Sequence, residues 1–140
     1  LNAVLQDLEF NCTKHKIRLC CEVAVPRFTK LTTLEELRIL TNVTNNAVEA
    51  CKKVPEDQRF IKVMSRNING WAVIDVTNAF DGTVLVEHGR LKSRKIQREN
   101  HGLGLTIVQE IVESKGGILM THFDVAQNTF KTRVLIPRCL

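Results

Sequence analysis

At 140 residues, 44% of them hydrophobic and 25% charged, the chain is long enough for one domain with its own core and has the balance of a soluble globular protein. No apolar run approaches the ~20 residues that span a bilayer, no signal-peptide pattern opens the sequence, and the aromatic content of 5% with no Tyr argues against a nucleic-acid-binding face despite a net charge of +5. Five cysteines with no CxxC pair and four scattered histidines argue against a Cys/His metal cage and for a reducing compartment. Leu1 is an odd first residue, so the sequence is expected to be a piece of something longer.

Taken in chain order, Leu1, Val4, Leu5 and Leu8 predict a helix reaching about Lys16. "IRLCCEVAV", Ile17 to Val25, reads as a strand ended by Pro26. A long helix follows, with Thr32 or Thr33 as N-cap, Glu35 or Glu36 completing a capping box, and Pro55 beyond its end. Asn69-Gly70 marks a two-residue hairpin, because both positions of such a turn take positive φ. Asp81 to His101 has no periodicity and carries the basic cluster Arg90, Lys92, Arg94, Lys95 and Arg98. A segment of about 20 residues without structure in a compact domain is characteristic of a lid or binding loop. A second long helix runs from about Leu105 to Lys115 and stops at Gly116-Gly117, and a final hairpin turns near Gln127-Asn128. This order predicts an α+β protein: a two-layer α/β sandwich with a mixed sheet, helices on one face and a long lid at about 81–101.

In the first long helix, Leu37, Leu40, Thr44, Ala47, Val48 and Cys51 share a broad apolar arc, while Asn42, Asn46 and Glu49 occupy the opposite flank. Asparagine is a poor interior helix residue, since its amide competes for backbone hydrogen bonds. A solvated helix face is the plain account of this stripe. The alternative is Mg²⁺, which takes hard oxygen ligands and shares its shell with water and substrate phosphates. Asn46 is the better placed amide for that role.

Gly102 and Gly104 flank Leu103 just before the second long helix. The first turn of a helix has unpaired N–H groups and a partial positive charge, and glycines there allow phosphate oxygens close approach. With a basic lid before it and an apolar helix after it (Leu105, Val108, Ile111, Val112), the junction predicts a phosphate site. It is neither a P-loop, for want of GxxxxGK[ST], nor a dinucleotide fingerprint, for no strand leads directly into GxGxxG.

These pieces resemble the ATP-binding domain of the GHKL superfamily, whose Bergerat fold is shared by DNA gyrase, the ninety-kilodalton heat-shock chaperone and bacterial sensor histidine kinases. "LTNVTNNAVEAC" resembles the N box, "VIDVTNAFDG" the G1 box and "HGLGLTIVQEIVESKGG" the G2 box, in the right order over nearly all 140 residues. "NAVEA", the Asn-centred G1 segment and "HGLGL" are most similar to the peptide quorum-sensing histidine kinases of Gram-positive bacteria. The resemblance implies that Asn46 coordinates Mg²⁺ and that Asn42 stands where gyrase-type ATPases keep a water-activating Glu. Those two are the candidate catalytic residues. An amide is no general base, which favours phosphoryl transfer to a protein over ATP hydrolysis. Asn78 takes the place of the adenine-binding Asp, so ATP affinity is expected to be weaker than micromolar. His101, Gly102, Leu103, Gly104 and Leu105 would hold the phosphates, with one or two of Lys92, Arg94, Lys95 and Arg98 as lid clamps.

The resemblance also implies partners: a dimerisation domain of the same kinase carrying the acceptor His, and a response regulator. Neither nucleic acid nor direct membrane contact is expected, and the chain would be a cytoplasmic part of a plasma-membrane protein. A GHKL-type anti-sigma-factor kinase that phosphorylates Ser on a partner and a degenerate domain kept for protein contacts are the competing readings.

Overall fold

The computed structural model describes residues 2–23, 30–82, 86–87, 90–91 and 102–138. Helix α1 spans Asn2–Lys14, β1 Arg18–Val23 and α2 Thr33–Cys51; after a 3₁₀ turn at Glu56–Gln58 come β2 at Phe60–Ile68 and β3 at Trp71–Ala79. A short ribbon, β4 Val86–Glu87 with β5 Arg90–Leu91, precedes α3 at Gly102–Ser114, and β6 Ile118–Asp124 and β7 Thr129–Pro137 close the chain. The expected α+β architecture is what forms: a five-stranded sheet in the order β1-β2-β3-β7-β6, with β1 parallel to β2 and every other pairing antiparallel.

Period-two alternation decides which face of the sheet is covered. Ile61 and Val63 of β2, Ala72, Ile74 and Val76 of β3, and Val134 and Ile136 of β7 share one face. They form a single apolar cluster with Val4, Leu8 and Cys12 of α1, Ile39, Leu40, Val43, Ala47, Val48 and Cys51 of α2, and Val108 and Val112 of α3. Burial of side chains such as these contributes about 1.5–3 kcal/mol each before entropy is charged against it. On the other face, Asp75 is 4% exposed, a costly place for a carboxylate. Its cross-strand partner Arg133 meets it with two parallel bonds, Nε to Oδ1 at 2.6 Å and Nη2 to Oδ2 at 2.9 Å.

Local signals set the boundaries. Thr32 is the N-cap of α2: its Oγ1 accepts from the Glu35 amide at 3.1 Å, and the Thr32 amide donates to Glu35 Oε1 at 2.9 Å. Asn69 and Gly70 both take positive φ, 48° and 82°, as a two-residue turn between β2 and β3 requires. Asn128, at φ 51°, turns the last hairpin.

Several boundaries differ from the sequence expectation. The helix expected from Leu105 begins three residues earlier, at Gly102, so both glycines of the pair lie inside its first turn. The apolar arc of α2 is rotated: Leu37 is 45% exposed, whereas Ile39 and Val43 are buried. The stretch Asp81 to His101, read as having no regular structure, contains the β4–β5 ribbon. The end of β1 at Val25 and Pro26, and the lid cations Lys92, Arg94, Lys95 and Arg98 together with His101, lie outside the described residues.

Candidate functional site

The rotation of α2 changes what its asparagines face. The helix is packed on three sides: its centre on the sheet, one edge on α1 and the other on α3. The α1 edge carries Leu37, Thr41, Thr44, Asn45 and Val48, which with Ala3, Val4, Asp7, Leu8 and Asn11 line a groove of about 310 Å³. Asn42 and Asn46 stand at 100° per residue on the α3 edge, next to buried Ile39 and Val43. Both are half-buried, so the stripe borders the buried arc and does not lie opposite it on a solvated face.

Asn42 is one of the contacts between the two helices. Its Nδ2 donates to the Arg38 carbonyl at 2.7 Å, one turn back along α2. That bond directs Oδ1 away from α2, and a Cβ placed on Gly104 would come within 2.9 Å of it. The sequence assigned the missing Cβ of Gly104 to phosphate access; the structure fills that side of the glycine with the Asn42 amide. The amides of Gly102, Leu103 and Gly104 remain in the first turn of α3, where a helix has no acceptors for them. Leu105, expected to line the site, is 7% exposed, and its side chain belongs to the interior.

Asn46 lies one turn further along the same edge. Its Nδ2 is buried with no hydrogen-bond partner, and burying an unpaired amide costs roughly 1–3 kcal/mol. An unmet N–H donor calls for an acceptor oxygen, and Oδ1 is the end of this amide that could ligate a cation. Among the described residues, no cluster of three His, Cys, Asp or Glu side chains could hold a metal by itself. A hard cation at Asn46 would therefore complete its shell with water and ligand oxygens, which suits Mg²⁺.

Asn78 sits near the C-terminal end of β3, 3% exposed. Its Nδ2 donates to the Ala79 carbonyl at 2.8 Å, which leaves Oδ1 as the end that can accept from a ligand. The neighbouring Cys51, in the last turn of α2, has its thiol 3.3 Å from the Phe60 carbonyl and 4.0 Å from that of Ala79. Burial pushes this thiol above its ordinary range, keeping it a donor. Sequence reasoning gave Cys51 only a core role. Its link to the end of β3 spans 28 residues of sequence and depends on strand register, for which no local signal exists.

Nearby, a cavity of about 440 Å³ opens beside Ala79, Phe80, Asp81, Asn128 and Pro55. Phe80 packs edge-on to Phe123 at 5.6 Å and beside Phe130 at 5.7 Å, fixing the chain as it leaves β3.

The asparagine edge of α2 thus meets the first turn of α3, and the last turn of α2 meets the end of β3 through Cys51. The GHKL domain family matches residues 31–137, most of the chain. The chain belongs to that family. No curated protein matches it by sequence. The fold of this GHKL domain is that of histidine kinase catalytic domains. It superposes on the nucleotide-free catalytic domain of the histidine kinase ThkA with a TM-score of 0.72 at 22% identity, covering 99% of this chain and 93% of that one. The mycobacterial sensor histidine kinase MprB gives 0.64 at 17% identity, over 97% and 93% of the two chains. Full-length ShkA in complex with AMPPNP gives 0.69 at 19% identity, over 97% of this chain and 28% of that one. At these identities the likeness is one of fold.

Proposed function

We propose that this GHKL domain is the ATP-binding catalytic part of a two-component histidine kinase, presenting the γ-phosphoryl group of Mg·ATP to a His on a separate dimerisation domain. The observation that carries this reading is the juxtaposition of the asparagine edge of α2 with the start of α3. There Asn42 Oδ1 meets Gly104, and Asn46, one turn on, holds an unmet N–H donor that an acceptor oxygen would satisfy. In this reading Asn46 Oδ1 is a metal ligand, and the amides of Gly102, Leu103 and Gly104 face phosphate oxygens at the positive end of α3. Bound Mg²⁺ would neutralise phosphate charge. Asn78 Oδ1 accepts from the exocyclic amine of adenine, a neutral contact where a carboxylate would be stronger.

Position 42 carries an amide held by Arg38, so no carboxylate stands there to take a proton from water. The chain's contribution is positioning and charge neutralisation, the main components of phosphoryl transfer. The acceptor His and a response regulator belong to other domains or proteins in this reading. Attachment to a plasma membrane through the rest of the protein, the cytoplasmic placement of this part and kinship with peptide quorum-sensing kinases belong to the same proposal. No described helix is long and apolar enough to cross a membrane.

Calorimetric titration with AMPPNP, with and without Mg²⁺, tests the reading. Binding is expected to be weaker than micromolar and Mg²⁺-dependent, and Asn46→Ala is expected to weaken it on the order of tenfold in Mg²⁺. Binding that ignores both Mg²⁺ and Asn46 would leave a domain kept for protein contacts.

A further inference from the structure

Asn42 has a second task open to it besides chemistry. It is a helix-interior asparagine, which propensity disfavours, yet both ends of its amide are committed. Nδ2 is tied to the Arg38 carbonyl at 2.7 Å, and Oδ1 lies against the side of Gly104 where any other residue would carry a Cβ. Rotating the amide to make room would break the Arg38 bond. Moving α3 instead would shift its first turn away from α2. The carbonyl oxygen also bears partial negative charge next to the positive end of α3, an attraction that draws the two together.

We infer that Asn42 is a positioning residue: its amide, seated on Gly104, fixes the first turn of α3 relative to Asn46. Asn46 is four residues further along α2, about 6 Å along the axis. The Asn42–Gly104 contact therefore sets the spacing between the metal-ligating amide and the phosphate-facing amides of α3. This rests on the nucleotide reading for its consequence, but the contact itself does not depend on that reading. Gly104 is glycine to admit Asn42 and only indirectly to serve phosphate.

A double-mutant cycle on the 140-residue chain separates this from direct phosphate access, with thermal unfolding and AMPPNP·Mg²⁺ affinity as the two readouts. With Asn42 present, Gly104→Ala is expected to lower Tm slightly and weaken AMPPNP about tenfold. In an Asn42→Ala background the same substitution has no oxygen to displace. There it should raise Tm by a few degrees, as Gly→Ala does inside helices. In that background Gly104→Ala should cost clearly less AMPPNP affinity than the roughly tenfold it costs with Asn42 present. An equal loss of affinity in both backgrounds would mean that the new methyl group obstructs phosphate directly, and the inference falls. Absence of AMPPNP binding by the unmodified chain would defeat the nucleotide reading alone, since the reversal in Tm still tests the latch. A Tm response of the same sign in both backgrounds defeats the latch.

Discussion

Helix α3 has a glycine pair at each end, and the two pairs do different work. At its C-terminal end Gly116 takes φ 74°, a left-handed conformation that costs other residues roughly 1–2 kcal/mol, with open space around it. Gly117 sits where a Cβ would strike the Leu135 carbonyl and crowd Ile136 Cδ1 at 2.9 Å and Val112 Cγ1 at 3.0 Å. Its amide bonds the Val112 carbonyl at 2.9 Å, closing the helix onto β7. At the other end Gly104 meets only the tip of a side chain, Asn42 Oδ1. Backbone cannot yield there without unpairing a sheet, whereas an amide can rotate. The C-terminal end is anchored on backbone, and the N-terminal end is held by a side-chain contact.

Breaking the anchored end should have the largest effect. Gly117→Ala is expected to lower Tm by about 10 °C through overpacking against β7, measured by thermal unfolding. A loss as small as that from Gly104→Ala would erase the contrast between the two ends. Gly116→Ala comes next. With no atom within 4 Å of its Cβ position, the cost is conformational alone, and a fall of roughly 5 °C is expected. Gly116→Asn should recover about half of that, because Asn tolerates the left-handed region better than Ala.

The same contrast explains what could be read before the structure. The anchored features have local chemistry. Thr32 and Glu35 form a capping box because three residues separate them, Asn69-Gly70 turns because of its own φ preferences, and Gly116 ends a helix for the same reason. The start of α3 was misplaced by three residues because glycine disfavours helix interiors, and nothing nearby reveals the Asn42 contact that accompanies the extra turn. Leu37 was assigned to the core because periodicity fixes an arc only to within a residue or so, and α2 turns that edge toward the α1 groove. Asp75 and Arg133 lie 58 residues apart, and only strand register brings them opposite each other. Asn46 and Asn78 stood out by residue type and resemblance, whereas the orientation of each amide needed coordinates.

The smallest expected effect sharpens the comparison from α2. Lys115, just beyond the last turn of α3, reaches Glu35 Oε1 at 3.2 Å, so the start of α2 is tied to the anchored end of α3 by an ion pair. The Thr32 backbone amide, and after it Lys115, hold the Glu35 carboxyl below its ordinary range. A carboxyl depressed in the folded state favours folding at pH values above its unfolded pKa of about 4.3, where both states are ionised. That contribution fades as pH falls through the lower folded value and the native carboxylate takes up its proton. Glu35→Gln keeps an acceptor for the Thr32 amide but removes the charge. It should therefore cost only about 1–2 °C in Tm at pH 7, within the range of exposed ion pairs. Thermal unfolding of both chains from pH 7 down to 3 should show the two curves converging in acid. An undiminished difference at pH 3 would assign the effect to lost packing at the cap, with no part for the Lys115 pair.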